Sequence, residues 1–218
     1  MFVGHLALGF AAKRAAPKVS LGTLVAAAQL VDMIWPILLL LGLEHARIDP
    51  GNTAVAPLDF YDYPWTHSLL MSVVWALVFA GIWYLRKRDP KVALLLGALV
   101  VSHWVLDFVT HRPDMPLYPG GPKVGLGLWN SVAATVLVEG AMFAAGVVIY
   151  LKATRPLDRI GRFATYGLIA FLVVAYLADI FSPPPPSIQA VAWGGQAGWL
   201  LLLWAVWADR HRSVSQTP

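Results

Sequence analysis

Cysteine is absent from the chain. Its absence excludes disulfides and thiolate metal sites, so any zinc bound here must be held by His, Asp and Glu. Charge is scarce as well: 13% of the 218 residues are charged and 58% are hydrophobic, whereas a soluble domain carries about 25% charged residues. The deficit lies in long apolar runs, which is the pattern of a membrane protein. The net charge of +4 comes from Lys/Arg clusters beside those runs. No basic stripe on a soluble face is present, so no nucleic-acid partner is expected. A cleavable leader is not expected either, because Lys13, Arg14 and Lys18 follow the apolar Phe2–Ala12 segment instead of preceding it.

A bilayer crossing takes about 20 helical residues. Stretches at roughly 66–85, 91–111, 126–151, 162–181 and 188–208 meet that length, and 19–43 does so despite Asp32 in its middle. Residues 44–65 contain Asp49-Pro50-Gly51-Asn52 and read as an extramembrane loop, and Pro183–Pro186 form a stiff connection. Lys and Arg favour cytoplasmic loops. They cluster at Lys13/Arg14/Lys18, Arg86/Lys87/Arg88/Lys91, Lys152/Arg155/Arg159/Arg162 and Arg210/Arg212, while the alternating loops hold few. The expected fold is therefore an all-α integral membrane bundle of about six transmembrane helices in the cell membrane, forming one domain over 1–218, with a cytoplasmic C-terminus. The first apolar segment is too short to span. It suits a half-helix paired with the first full span, where Gly4 and Gly9 permit close packing, or an amphipathic helix on the cytoplasmic surface.

Ionisable side chains are rare within spans and usually functional there. Asp32, His103, Asp107 and Glu139 lie inside the expected spans, His67 and His111 at the outer ends of theirs, and His5 in the half-helix. Counting from the cytoplasmic ends at about 1.5 Å per residue puts Asp32, His103 and Glu139 near 20 Å. On the same rise Asp107 comes near 24 Å, His67 near 28 Å and His5 only some 12 Å up. His103, Asp107 and His111 share one helix face at i, i+4, i+8. Three unpaired carboxylates, Asp32, Asp107 and Glu139, would cost on the order of 9 kcal/mol in a bilayer, and no buried Lys or Arg is evident in the spans to neutralise them. A structural zinc returns about 10–16 kcal/mol, so a divalent metal, zinc first, is the natural partner.

Blander readings stand beside this one. Glu139 can be a protonated, hydrogen-bonded core residue, His111 a helix-end cap beside Arg112-Pro113-Asp114, and His5 an interfacial residue. His45, His211 and Asp179 read as surface residues, and Trp35, Trp65, Trp83, Trp129 and Trp193 as interfacial anchors and packing.

The order Gly4-His5, Asp32, Trp65-Thr66-His67-Ser68 and Ser102-His103-Trp104-Val105-Leu106-Asp107 resembles the membrane-bound metal-dependent hydrolases typified by the YdjM inner-membrane protein. The resemblance covers roughly residues 1–140; the two spans within 160–210 carry no recognised motif. That family is similar in turn to zinc-dependent phospholipases C and zinc single-strand nucleases, which hydrolyse phosphate esters with three zinc ions. The resemblance implies a zinc site of Asp32, His67, His103 and Asp107, with Asp107 bridging to a second ion near His5 and the Met1 amino terminus. A third ion would need His111 and Glu139 plus a His four residues before Glu139, where Thr135 stands instead.

Three functions compete on these grounds. The first is a metallohydrolase acting on a membrane lipid or another small phosphoester from the outer face. Asp32 or Glu139 would be its general base, and Arg112 and Lys123 its phosphate-receiving cations. The second is an ion or metal transporter lined by the same acids and imidazoles, and the third a non-catalytic, metal-stabilised scaffold.

Overall fold

The apolar N-terminal residues form helix α1 (Val3–Ala12). A turn at Lys13 to Val19 leads to α2 (Leu21–Ala28), whose first turn is capped by Ser20 accepting from the Thr23 N–H. In this computed structural model, which describes residues 1–215, α1 packs against α2 as the half-helix hairpin and lies along a later span. The last three positions of the expected 1–218 domain fall outside the described residues.

The expected 19–43 span is not one straight helix. It breaks at Gln29 into α2 and α3 (Leu30–Leu40), which meet at a 60° bend. At the break the Ala28 carbonyl accepts from the His103 side chain at 2.8 Å, an insertion into the helix ladder; Pro36 lies further on, inside α3, where it leaves the Asp32 carbonyl without an N–H. The bend sets Asp32 in the first turn of a new helix.

The 44–65 loop is more ordered than its composition suggests. Strands β1 (His45–Ile48) and β2 (Leu58–Asp62) pair antiparallel, and a short α4 (Pro64–His67) follows. Then come the long helices α5 (Leu69–Lys87) and α6 (Pro90–Thr110), capped by Ser68 and Asp89 and joined through Arg88, whose φ of 55° is left-handed. A two-residue pairing of β3 (Met115–Pro116) with β4 (Lys123–Val124) closes the next loop. The remaining elements are α7 (Val132–Ala153), β5 (Thr154–Pro156), α8 (Arg159–Phe181), α9 (Ile188–Gly195), α10 (Ala197–Arg210) and β6 (Arg212–Val214), which pairs with β5.

Among the described residues, α5, α6, α7, α8 and the α9–α10 segment are long and apolar enough to cross a membrane, and the bent α2–α3 pair makes a sixth span. Their outward faces expose large apolar side chains, such as Leu77 at 69%, Leu137 at 72% and Leu203 at 66%, as helices bathed in lipid do. The core sits where α1 packs against α7 and α2. A Cβ on Gly9 would lie 2.9 Å from Val25 Cα, and one on Gly146 would lie 2.8 Å from Ala7 Cα, so both close approaches need glycine. Phe10 packs edge-on to Phe143 and Tyr150 in the same layer.

One cation from the basic turn is not solvated. Lys13 is buried and donates to Asp209 Oδ2 at 2.6 Å and to the Val19 carbonyl at 2.8 Å. Asp209 also accepts from Leu21 N–H and the Tyr150 hydroxyl, tying the α1–α2 turn to α7 and α10.

Candidate metal centre

His103 and Asp107 stand one turn apart on α6, both buried. The broken α2–α3 pair brings two more groups to them. The Ala28 carbonyl, at the end of α2, accepts from His103 Nδ1 at 2.8 Å. Asp32, just past the break, sets Oδ1 3.4 Å from His103 Nε2. His67, the last residue of α4, places Nε2 3.3 Å from Asp32 Oδ1 and 3.9 Å from Asp107 Oδ2. His5 on α1 completes the cluster: its ring stacks on His103 with centroids 3.6 Å apart, and its Nε2 lies 2.9 Å from Asp107 Oδ1. The Met1 amino group is 2.5 Å from the same oxygen. Position along the chain had left His5 lower than the rest; the structure seats the start of α1 against α6.

Proton bookkeeping shows what the cluster can hold. A neutral imidazole has one N–H and one lone pair. With the His103 Nδ1–H directed at Ala28, Nε2 faces Asp107 Oδ2 at 3.1 Å as acceptor against acceptor, and it is a buried nitrogen without a hydrogen-bond donor. His5 Nδ1 is likewise buried and unpartnered. Buried acceptors left in this way are costly unless a cation lies between them. Two overlapping groups could hold a metal ion: His5, His103 and Asp107, and Asp32, His67 and His103, each with donor atoms within 4.8 Å of one another. They share His103, whose one free nitrogen can serve a single ion. Asp107 directs one oxygen toward His5 and the other toward His103 and His67, so it is the residue able to bridge two ions. The donor set is nitrogen and oxygen only, which suits zinc and other first-row divalent ions.

The remaining sequence candidates are held elsewhere. Neither group includes Glu139 or His111. Glu139 is buried, and its Oε2 accepts from the Phe2 N–H at 2.8 Å and the Gly4 N–H at 3.3 Å, capping the start of α1. Its matching depth arises because it anchors the helix that carries His5. His111 turns its Nδ1 to Asp114 Oδ1 at 2.9 Å and packs on Trp129 at 4.3 Å between centroids. Tyr63 joins this outer network by donating to Asp114 Oδ1 at 3.1 Å, and burial beside Asp114 pushes its phenol well above the usual tyrosine range. Arg112 pairs with Asp59 and Asp114, and Lys123 donates to the Tyr61 carbonyl at 2.8 Å, so both phosphate candidates already have partners.

Sequence reasoning missed Glu44 and gave Thr66 no role. Glu44 is a loop acid after an apolar run, and no spacing links it to His67. Of the tryptophans read as anchors and packing, Trp35 and Trp129 pack near His67 and His111, while Trp65 and Trp193 are exposed.

The family model described as YdjM inner membrane protein matches residues 1–211. The chain belongs to the YdjM inner membrane protein family. Membership extends through α10, well beyond the residues that carry the short motifs, so the last two spans are part of the YdjM chain pattern as well. No curated protein matches the chain, and no solved structure does.

Proposed function

We propose that this YdjM family member is a membrane-embedded, metal-dependent hydrolase of phosphoesters, with zinc as the metal and a lipid headgroup or another small phosphoester as substrate. The observation that carries this reading is the convergence of His67 and His103 Nε2 with Asp32 and Asp107 oxygens at 3.1–3.9 Å. Zinc would be held by Asp32, His67, His103 and Asp107, and a second ion by His5 with Asp107. A bound ion of this kind lowers the pKa of its water toward 7 and polarises a phosphoryl oxygen.

The protein's own groups do the rest. The Met1 amino group donates to Asp107 Oδ1 across the floor of the cluster. Asp32 has its side chain 35% exposed, against 1% for His103 and 3% for Asp107, so it marks the mouth and is the general base in this reading. Glu139 is the weaker base candidate because its carboxylate is engaged by two backbone N–H groups. Phosphate binding by Arg112 would require it to leave Asp59 and Asp114. We further propose that 1–218 act as one domain, with the C-terminus cytoplasmic, the mouth toward the outer face, and no nucleic-acid partner.

The bend between α2 and α3 beside Asp32 favours a second reading, because broken spans line ion paths in transporters. One experiment separates the two. Purified protein in proteoliposomes is supplied with zinc, and both phospholipid or phosphodiester hydrolysis and zinc flux are recorded. Hydrolysis that is lost on chelation and in Asp107→Asn is the expected result. Zinc flux without hydrolysis would overturn the hydrolase reading in favour of transport, and bound metal with neither would favour a scaffold.

A further inference from the structure

We infer that Glu44 and Thr66 are positioning residues that fix the tautomer of His67, so that its Nε2 presents a lone pair to the cluster. The inference rests on the metal-site reading above and deepens it. Thr66 is fully buried and Glu44 nearly so. Glu44 Oε1 accepts from the Trp65 and Thr66 N–H groups at 2.7 and 2.8 Å, and Oε2 accepts from the Thr66 hydroxyl at 2.6 Å. That hydroxyl has one hydrogen, and the carboxylate takes it. The 2.7 Å contact between Thr66 Oγ1 and His67 Nδ1 must then be donated by His67. In the neutral ring Nδ1 then carries the proton, and Nε2, 3.3 Å from Asp32 Oδ1 and 3.9 Å from Asp107 Oδ2, carries the lone pair.

The arrangement mirrors the one at His103, where the Ala28 carbonyl does the same with a single acceptor. Carboxylate, hydroxyl and imidazole thus form a directed chain from the loop after α3 through α4 into the cluster. Its direction is set by Glu44 being able only to accept. Groups of this kind behind a metal-binding His raise its basicity and fix its orientation, and their loss typically weakens metal binding by about 10–100-fold.

Glu44→Gln tests the direction with little change of shape. The Gln amide can keep one oxygen on the backbone N–H groups while its NH2 faces Thr66. The threonine hydrogen is then free to turn to His67 Nδ1, which moves the imidazole proton to Nε2. The experiment is 15N NMR of histidine-labelled, metal-free protein in detergent, followed by zinc competition titration. Expected in the wild type is a His67 with Nδ1 protonated and Nε2 bare; expected in Glu44→Gln is the reverse, with zinc affinity down about 10–100-fold. Thr66→Ser should keep the wild-type tautomer and affinity, whereas Thr66→Val should lose the preference. A wild-type His67 protonated at Nε2, or a Glu44→Gln protein with unchanged tautomer and zinc affinity, would overturn the inference. Should Glu44→Gln fail to fold, the wild-type spectrum and the Thr66→Ser and Thr66→Val pair decide it. Wild-type protein that takes up no zinc would defeat the metal reading, while the tautomer measured in the same metal-free sample would still decide the role of Glu44 and Thr66.

Discussion

Replacing Glu139 separates a cap from a metal ligand. Its Oε2 receives two backbone N–H groups, those of Phe2 and Gly4, in a buried setting at the start of α1. Glu139→Ala leaves both without an acceptor, and each buried unsatisfied donor costs about 1–3 kcal/mol. Loss of a negative charge at a helix N-terminus adds about 0.3–1 kcal/mol. The sum is about 2–7 kcal/mol from these two terms, and for a chain of this size each kcal/mol moves the melting temperature by about 2–4 °C. Thermal unfolding in detergent should therefore show Glu139→Ala melting about 5 °C or more below wild type. Glu139→Gln keeps one oxygen in place and should lose only part of that margin. The same samples should be analysed for metal: Glu139→Gln should retain the wild-type content, because Oε2 is taken by the start of α1 and Glu139 is in neither candidate ligand group. A Glu139→Gln protein of unchanged melting temperature that has lost metal would refute the capping role and restore Glu139 as a ligand.

Three further outcomes are expected. Lys13→Met should cost about 3–5 kcal/mol, measured by thermal unfolding, because it leaves buried Asp209 without its cation; Lys13→Met combined with Asp209→Leu should recover part of the loss. The Gly161 N–H and then His211 beside Asp158 hold its carboxyl below the usual carboxylate range. Its folded pKa is depressed, so the stabilisation is present above the unfolded value of about 3.9 and is lost as pH falls through the folded one. Limited proteolysis of the β6 tail should accelerate in acid, and Asp158→Asn should remove that step. In this cysteine-free chain, Asn52→Cys should label from outside and Arg88→Cys from inside; the reverse pattern would invert the orientation.

Hydropathy and helix periodicity made the spans legible, because lipid exposure demands long apolar helices whatever they pack against. The i, i+4 pair His103 and Asp107 was legible for the same local reason; matching depth pointed to Asp32, while His67 stood higher in the same slab and was joined to the set by the family resemblance. Depth along a helix carries no information on rotation about it, however, and that is why Glu139 could share the depth of the cluster and still face the start of α1. The bend at Gln29 left no signal in a hydropathy window, because the side chain that takes the Ala28 carbonyl there, His103, comes from another helix. Contacts made across loops left no pattern at all. Glu44 meets Thr66 across 22 positions and Lys13 meets Asp209 across 196, and neither partner has a spacing that a helix or strand would impose.

A cluster built of nitrogen and oxygen donors should hold a divalent ion. Zinc content and zinc K-edge absorption of protein purified without chelator test it most directly. At least one zinc per chain is expected, with a nitrogen/oxygen shell at about 2.0–2.2 Å that includes imidazole scattering, and its loss in His103→Ala with Asp107→Ala. A chain that binds no zinc or other divalent ion, or a double mutant that keeps its full complement, would contradict the account.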